Sequence, residues 1–254
     1  MTKLAFLGLA VAVLFFEPVC STGAEMNTDA NEAIAAAVAD ESRPDEDRNR
    51  DGNRKPADVL AFFGITPGMK VADLMAGGGY YSHILSRLAG PDGVVYVQNN
   101  KTALERFADR QLSARMATTE LDNVVRLDRE LEDLGLPEAD LDVVIMVLFY
   151  HDTYWMKADR PRMNEQILAS LKPGGLFGVI DHVAEAGSGD RDVSSLHRVD
   201  PETVKSEIIA AGFVLAEESD LLHNPDDDHT INVFNPDIRG QTDRFIYKFR
   251  KPDN

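Results

Sequence analysis

The sequence predicts an α/β fold: a mostly parallel sheet of seven strands, helices on both faces, and an antiparallel hairpin at the C-terminal end. Three observations carry this. From residue 56 onward, short apolar runs alternate with helix-like stretches, the pattern of a parallel sheet covered on both faces. The first of those runs reaches Asp73 and then a glycine turn, Gly77-Gly78-Gly79, that opens a helix. Glycines there permit positive φ and let a ligand approach the backbone, at the carboxyl edge where open α/β sheets bind ligands. The last two strand-like runs have no helix between them.

The elements follow in order. Lys3 precedes the apolar run Leu4–Phe16, and Glu17, Pro18 and the small residues Ser21–Ala24 come next. This is the outline of a secretory signal, with a run too short to span a membrane. Residues 1–24 are therefore expected to be a signal peptide cleaved near Ala24. The protein would be periplasmic if bacterial and secreted otherwise. Cys20 leaves lipidation as an alternative, although Glu17 and Val19 suit that processing poorly, and an uncleaved anchor is another. Cleavage removes one Lys and one Glu, so the charge stays at −17, and it removes the only cysteine. The mature chain is then held without disulfides.

Residues 25–55 are expected to form a flexible, charged extension. Ala33–Ala39 suits a short helix, Ser42-Arg43-Pro44 breaks it, and Asp45–Lys55 alternates charges. The folded domain spans 56–254. It opens with a helix over Pro56–Phe63, started by proline and ended by Gly64 and Pro67-Gly68. Strands are expected at Val71–Leu74, Val94–Val97, Val124–Leu127, Leu141–Leu148 and Leu176–Ile180. Helices are expected at Tyr80–Leu88, Leu104–Arg115, Arg162–Leu171 and Pro201–Ala211, the third stopped by Lys172-Pro173-Gly174-Gly175 and the fourth by Gly212. Phe213–Leu222 and Phe245–Phe249, joined by the long segment His223–Asp243, form the hairpin.

The net charge of −17 repels phosphate backbones and anionic lipids, which argues against a nucleic-acid partner. No later stretch is apolar for long enough to cross a membrane. A small molecule is the expected partner, and nothing in the sequence sets an oligomeric state.

A dinucleotide fingerprint fits poorly, because Ser82 stands where its third glycine belongs. The layout Asp73-Leu74-Met75-Ala76-Gly77-Gly78-Gly79 instead resembles the first motif of the class I S-adenosylmethionine-dependent methyltransferases, with Met75 at that family's first glycine. Gly93–Asn99 resembles the second strand, whose end carries the acid that binds both ribose hydroxyls. Gln98-Asn99 stand there in this chain. Val124–Asp128, Leu141–Met146 and Leu171–Gly175 resemble the third strand, the fourth strand and the turn before the fifth. The series RKPADVLAFFGITPGMKVADL, GGGYYS, YHD, LKPGG, IDH, LHRVDPE and AAGF is similar to an exported group of predicted methyltransferases of unknown substrate.

The resemblance implies a Rossmann-like class I methyltransferase fold over roughly residues 56–250 and S-adenosylmethionine as cofactor. Asp73, Ala76, Gly77, Gly79, Tyr80, Asn99 and Asp128 would hold that cofactor, with Asp128 on the adenine amino group. Asp73 has a plainer alternative, holding the glycine turn through backbone N–H groups. Of Tyr80 and Tyr81, one could line the crevice and the other pack in the core.

Tyr150-His151-Asp152 follows the fourth strand, where this fold places substrate-facing groups. His151 could take a substrate proton, with Asp152 orienting it. His182 ends the fifth strand and His197 follows it, so His151, His182 and His197 could share one pocket. The catalytic set is thus His151, Asp152, His182 and His197, against the plain reading of loop histidines bonded to backbone. Asp152, Asp181 and His182 partly echo a divalent-cation site in related O-methyltransferases, but Val147 occupies the first ligand position, and no metal is expected. Asp226-Asp227-Asp228-His229 reads as an acidic loop, with calcium as the alternative. Arg48, Arg50, Arg54 and Lys55 read as a solvated, salt-bridged helix, or as a cover that brings a carboxylate to the pocket.

The leading function is an S-adenosylmethionine-dependent methyltransferase acting on a small molecule outside the cytosol. The alternative is a non-catalytic ligand-binding protein on the same scaffold, favoured by Met75, by the missing ribose acid and by export away from the cofactor's source. Metal-dependent hydrolysis by the histidines is a third reading.

Overall fold

The computed structural model describes residues 23–118 and 121–253. Residues 1–22 of the expected leader lie outside the described residues. Among the described residues no helix is long and apolar enough to cross a membrane.

Seven strands form one sheet: β1 (Lys70–Leu74), β2 (Val94–Asn99), β3 (Val124–Asp128), β4 (Leu141–Val147), β5 (Leu171–His182), β6 (Val214–Ser219) and β7 (Arg244–Arg250). Their order is β3-β2-β1-β4-β5-β7-β6. β7 runs antiparallel to both β5 and β6, and β1 through β5 pair in parallel. The strand order reverses between β1 and β4, the crevice position for ligands in open α/β sheets.

Alternation along the strands sorts the core into two layers. Ala72 and Leu74 of β1 and Val144 and Met146 of β4 face Met163 and Ile167 of one helix (Arg160–Ser170) and Val204 and Ile208 of another (Pro201–Ala210). Val71, Val143 and Ile145 face the opposite layer. There they meet α4 (Pro56–Phe63) through Val59, Leu60 and Phe63, and α5 (Tyr80–Ala89) through Ile84 and Leu85. Gly178 of β5 lies under Phe63, where a Cβ would come within 2.6 Å of the ring.

Three expectations change. The expected flexible extension, residues 25–55, is largely helical. It forms α1 (Gly23–Val38), α2 (Asp45–Arg48) and α3 (Asp51–Arg54), with Ile34 and Ala37 of α1 buried against the α4–α5 layer. Asp47 is fully buried between Arg50 and Arg115, the latter at 2.7 Å, and Arg43 grips Asp51 with both nitrogens at 2.7 and 2.8 Å. The alternating charges looked solvated because Arg115 lies 68 residues away in sequence.

Lys172–Gly175 also differs from a simple turn. Leu171 already pairs with Leu141 and Leu176 with Val143, so the glycine pair is an irregularity inside a longer β5. The expected helix over Leu104–Arg115 is a composite of α6 (Lys101–Ala103), a π-helical turn (Leu104–Ala108) and α7 (Asp109–Thr118). Such widened turns frequently mark functional sites, and this one carries Arg106 and Phe107 to the crevice described next.

Candidate active site

A cavity of about 550 Å³ opens at the carboxyl ends of β1 and β4, lined by Ala76, Gly77, Tyr80, Asp152, Trp155 and His197 among others. That volume suits a small organic ligand. Asp152 is the single acid in its lining, and five arginines (Arg50, Arg54, Arg106, Arg115, Arg239) face it. Met75, Leu148 and His197 also line it with left-handed backbones, φ 50, 57 and 54°. Such conformations cost energy in non-glycine residues and cluster at functional sites.

The glycine turn is held from below by the amides that replace the ribose acid. Gly77 N–H donates to Asn99 Oδ1 at 2.9 Å, and Asn99 Nδ2 donates back to Gly77 O at 3.1 Å. Gln98 accepts from Met75 N–H at 3.1 Å and donates to Arg129 O. Asn99 is fully buried, so it clamps the turn and does not reach a ribose. Asp73 is also buried and takes the Ser82 hydroxyl at 2.6 Å. Burial pushes its carboxyl up to about 6, against the Ser82 bonds and the charge of Arg54. It supports the helix start through Ser82. Asp128 is exposed, pairs with Arg126 at 2.7 Å and faces a separate surface hollow beside Lys101 and Glu130.

Gly78 and Gly79 are needed for packing. A Cβ on Gly78 would run into Gln111, and one on Gly79 would lie 3.2 Å from Leu112 and Arg115, whose Nε donates to Gly78 O. Only Gly77 keeps open space, its nearest neighbour being Phe107 at 3.8 Å. Tyr80 donates to Asp51 at 2.6 Å and carries Arg50 and Arg54 on its ring at 4.9 and 4.6 Å. Tyr81 packs in the core.

The catalytic candidates converge. His151 follows β4 and Asp181 lies near the end of β5, the adjacent parallel strand, which brings them into contact. His151 Nδ1 donates to Asp181 Oδ1 at 2.7 Å and its backbone N–H to Oδ2 at 2.7 Å. Nε2 points to Asp152 Oδ1 at 3.1 Å. Burial disfavours a charged ring, but Asp181 and Asp152 outweigh it and push His151 up to about 10. Asp152 is held below the usual carboxylate range, its burial outweighed by His151, Trp155 and His197. His197 Nδ1 lies 3.3 Å from Asp152 Oδ1 and 3.4 Å from His151 Nε2. With a proton on Nδ1, His197 donates to Asp152 and leaves its Nε2 as an acceptor.

His182 packs its ring 5.8 Å from that of His151 but does not line the larger cavity. It contacts Thr242 at 2.8 Å and faces a neighbouring cavity; burial, with the charges of His151 and Arg244, holds it well below its usual value and neutral. The echo of a cation site through Asp152, Asp181 and His182 is therefore not assembled. His151, Asp152 and His197 do place one donor atom each within 4.8 Å of one another. A cation there would have to displace the proton on His151.

Asp227 of the acidic loop is no calcium ligand in waiting. It is buried and gripped at both oxygens by Arg198 at 2.9 Å. Sequence reasoning missed Trp155, which donates to Asp152 at 2.5 Å, as well as Phe234 and Arg239 from the long segment before β7. Trp155 lies three residues after Asp152 on the same short helix, whereas Phe234 and Arg239 reach the cavity only through tertiary folding.

No family model matches the chain. Solved structures do resemble it. An S-adenosylmethionine-dependent methyltransferase from Aquifex aeolicus superposes with a TM-score of 0.59 at 20% identity, covering 87% of this chain and 98% of its own. The chain has the class I methyltransferase fold. An arsenic(III) S-adenosylmethionine methyltransferase from Chlamydomonas reinhardtii gives 0.56 at 19% identity over 87% and 73%. The 4+2 cyclase SpnF gives 0.56 at 17% identity over 90% and 96%. Within this methyltransferase fold the cavity occupies the crevice between β1 and β4.

Proposed function

We propose that this chain is an S-adenosylmethionine-dependent methyltransferase acting on a small molecule, outside the cytosol if its leader is processed as the pattern implies. One observation carries the reading: a single cavity joins the open Gly77 turn to the Asp152–His197 pair where the strand order reverses. The residues present fit an adenosyl group. Gly77 leaves space above its backbone, and Met75, Leu148, Phe149, Phe107 and Met156 give an apolar wall. Met75, Ala76, Gly77 and Tyr80 would hold the cofactor, which when bound supplies an electrophilic methyl group.

The protein's own contribution is position and proton handling. His197 Nε2 would accept the proton of the substrate's O–H, N–H or S–H group. Asp152 orients His197 through Nδ1, and Asp181 and His151 fix Asp152 in turn. His151 is a positioning residue and not a base, because its ring is already protonated at neutral pH.

A second reading is favoured by Asn99 and Asp128. The amide is spent on Gly77 and the carboxylate lies outside the cavity, so neither expected anchor for the adenosine is in reach. That supports a ligand-binding protein, or a different reaction, on the same scaffold. A fold does not dictate its chemistry, and the SpnF cyclase carries a different named activity on it.

Calorimetric titration with S-adenosylmethionine and with its demethylated product separates the two. The methyltransferase reading expects saturable binding of both, unchanged within about twofold in Asp73→Asn, since that side chain bonds only within the helix start. No heat with either compound would leave the second reading.

A further inference from the structure

The second cavity, about 300 Å³, shares Arg50, Arg54, Leu148, Phe234 and Arg239 with the first and adds Arg244 and His182. Among the described residues no acid lines it. Four arginines therefore face one small space in a chain whose formal charge is −17.

Their partners are unequal. Arg50 pairs with Asp47 behind the wall. Arg244 donates to two backbone carbonyls, Asn53 O at 2.8 Å and Thr242 O at 3.1 Å, and makes no ion pair among the described residues. Arg54 is partly buried and only stacks on Tyr80 at 4.6 Å; Arg239 is exposed. Among the described residues neither guanidinium makes a hydrogen bond or ion pair. A partly buried guanidinium with no carboxylate bonded to it is stabilised when an anion completes its site. Guanidinium forks match carboxylate and phosphate oxygens in pairs.

We propose that this 300 Å³ cavity docks a carboxylate or phosphate group of the substrate, so that the molecule acted on is an organic anion. Its anionic end rests on Arg54, Arg239 and Arg244, and its reacting end enters the larger cavity at His197. The arginines come from α3, from the chain between β6 and β7 and from the first residue of β7. The acidic exterior repels anions in general, so recognition is confined to this pocket. The assignment of the reacting end rests on the methyltransferase reading, whereas the anion site itself does not.

The test titrates the full-length protein, at fixed ionic strength, with inorganic phosphate and with succinate. At least one is expected to saturate, and which one does separates a phosphate from a carboxylate substrate. Arg54→Gln is expected to weaken that binding by about tenfold or more and Arg239→Gln by several-fold, as charge-assisted bonds are lost. Arg239 lies on an exposed loop, so its variant carries the test if Arg54→Gln fails to fold. No saturation by either anion, or wild-type affinity in both variants, overturns the proposal. Loss of S-adenosylmethionine binding in Arg54→Gln without any anion binding also overturns it, because the arginines would then serve the cofactor. Anion binding without S-adenosylmethionine binding sinks the methyltransferase reading alone.

Discussion

Asp181→Ala is expected to destabilise the fold by about 3–5 kcal/mol in urea unfolding, the cost of breaking a buried ion pair by removing one partner. Asp181 is fully buried and accepts three bonds, from His151 Nδ1, His151 N–H and His182 N–H. Its loss strands two backbone donors and leaves the His151 cation with Asp152 alone. The pH profile gives an independent check. His151 is pushed up to about 10 in the folded protein, against about 6.5 in an unfolded chain. Its contribution is therefore complete below about pH 6.5 and falls as pH rises through the folded value. Wild-type stability should decline between neutral pH and pH 10, and the decline should be markedly shallower in Asp181→Ala. An equal slope in both proteins would remove Asp181 as the group that holds the proton on His151.

Asp227→Ala is expected to cost a similar amount, about 3–5 kcal/mol, and to loosen the site as well. Arg198 and Asp227 are both buried, and Arg198 also donates to Val183 O and Ile231 O at 3.0 and 3.1 Å. Asp227 further accepts the N–H groups of Asp243 and His229. This one pair ties the chain after β5 to the long segment before β7. Of the residues those stretches deliver to the cavity, His197 and Phe234 touch each other edge to face at 4.8 Å. Asp227→Ala should therefore lower the melting temperature and weaken ligand binding together. Lowered stability with wild-type affinity would separate the pair from the site.

Much of the fold was legible because it is written locally. Val71–Leu74, Leu141–Leu148 and Leu176–Ile180 are apolar runs of strand length bounded by turn residues, and each falls in a strand of the sheet. Pro201 and Gly212 bracket a helix as their backbone preferences dictate. The convergence of His151 and His197 was also readable, since both follow strands at one edge of the sheet. What escaped depends on distant partners. Asn99 looked like a ribose ligand until its amide met Gly77, 22 residues away in sequence. Arg50 and Arg54 looked solvated, yet they stack on Tyr80 and wall the cavity. Asp128 sits at the end of β3 as expected, but Arg126, two residues before it, takes its carboxylate.

Trp155 offers the most direct test of where a ligand binds. It is the only tryptophan in the chain, it lines the larger cavity, and it donates to Asp152 beside His197. Its intrinsic fluorescence therefore reports this cavity and the adjoining hollow that Trp155 also lines with Asn100, Glu130 and Met156. Titration with S-adenosylmethionine or its demethylated product is expected to change that emission saturably, with the same midpoint as the calorimetric binding curve. Calorimetric binding that leaves Trp155 emission unchanged would place the ligand elsewhere and contradict the account.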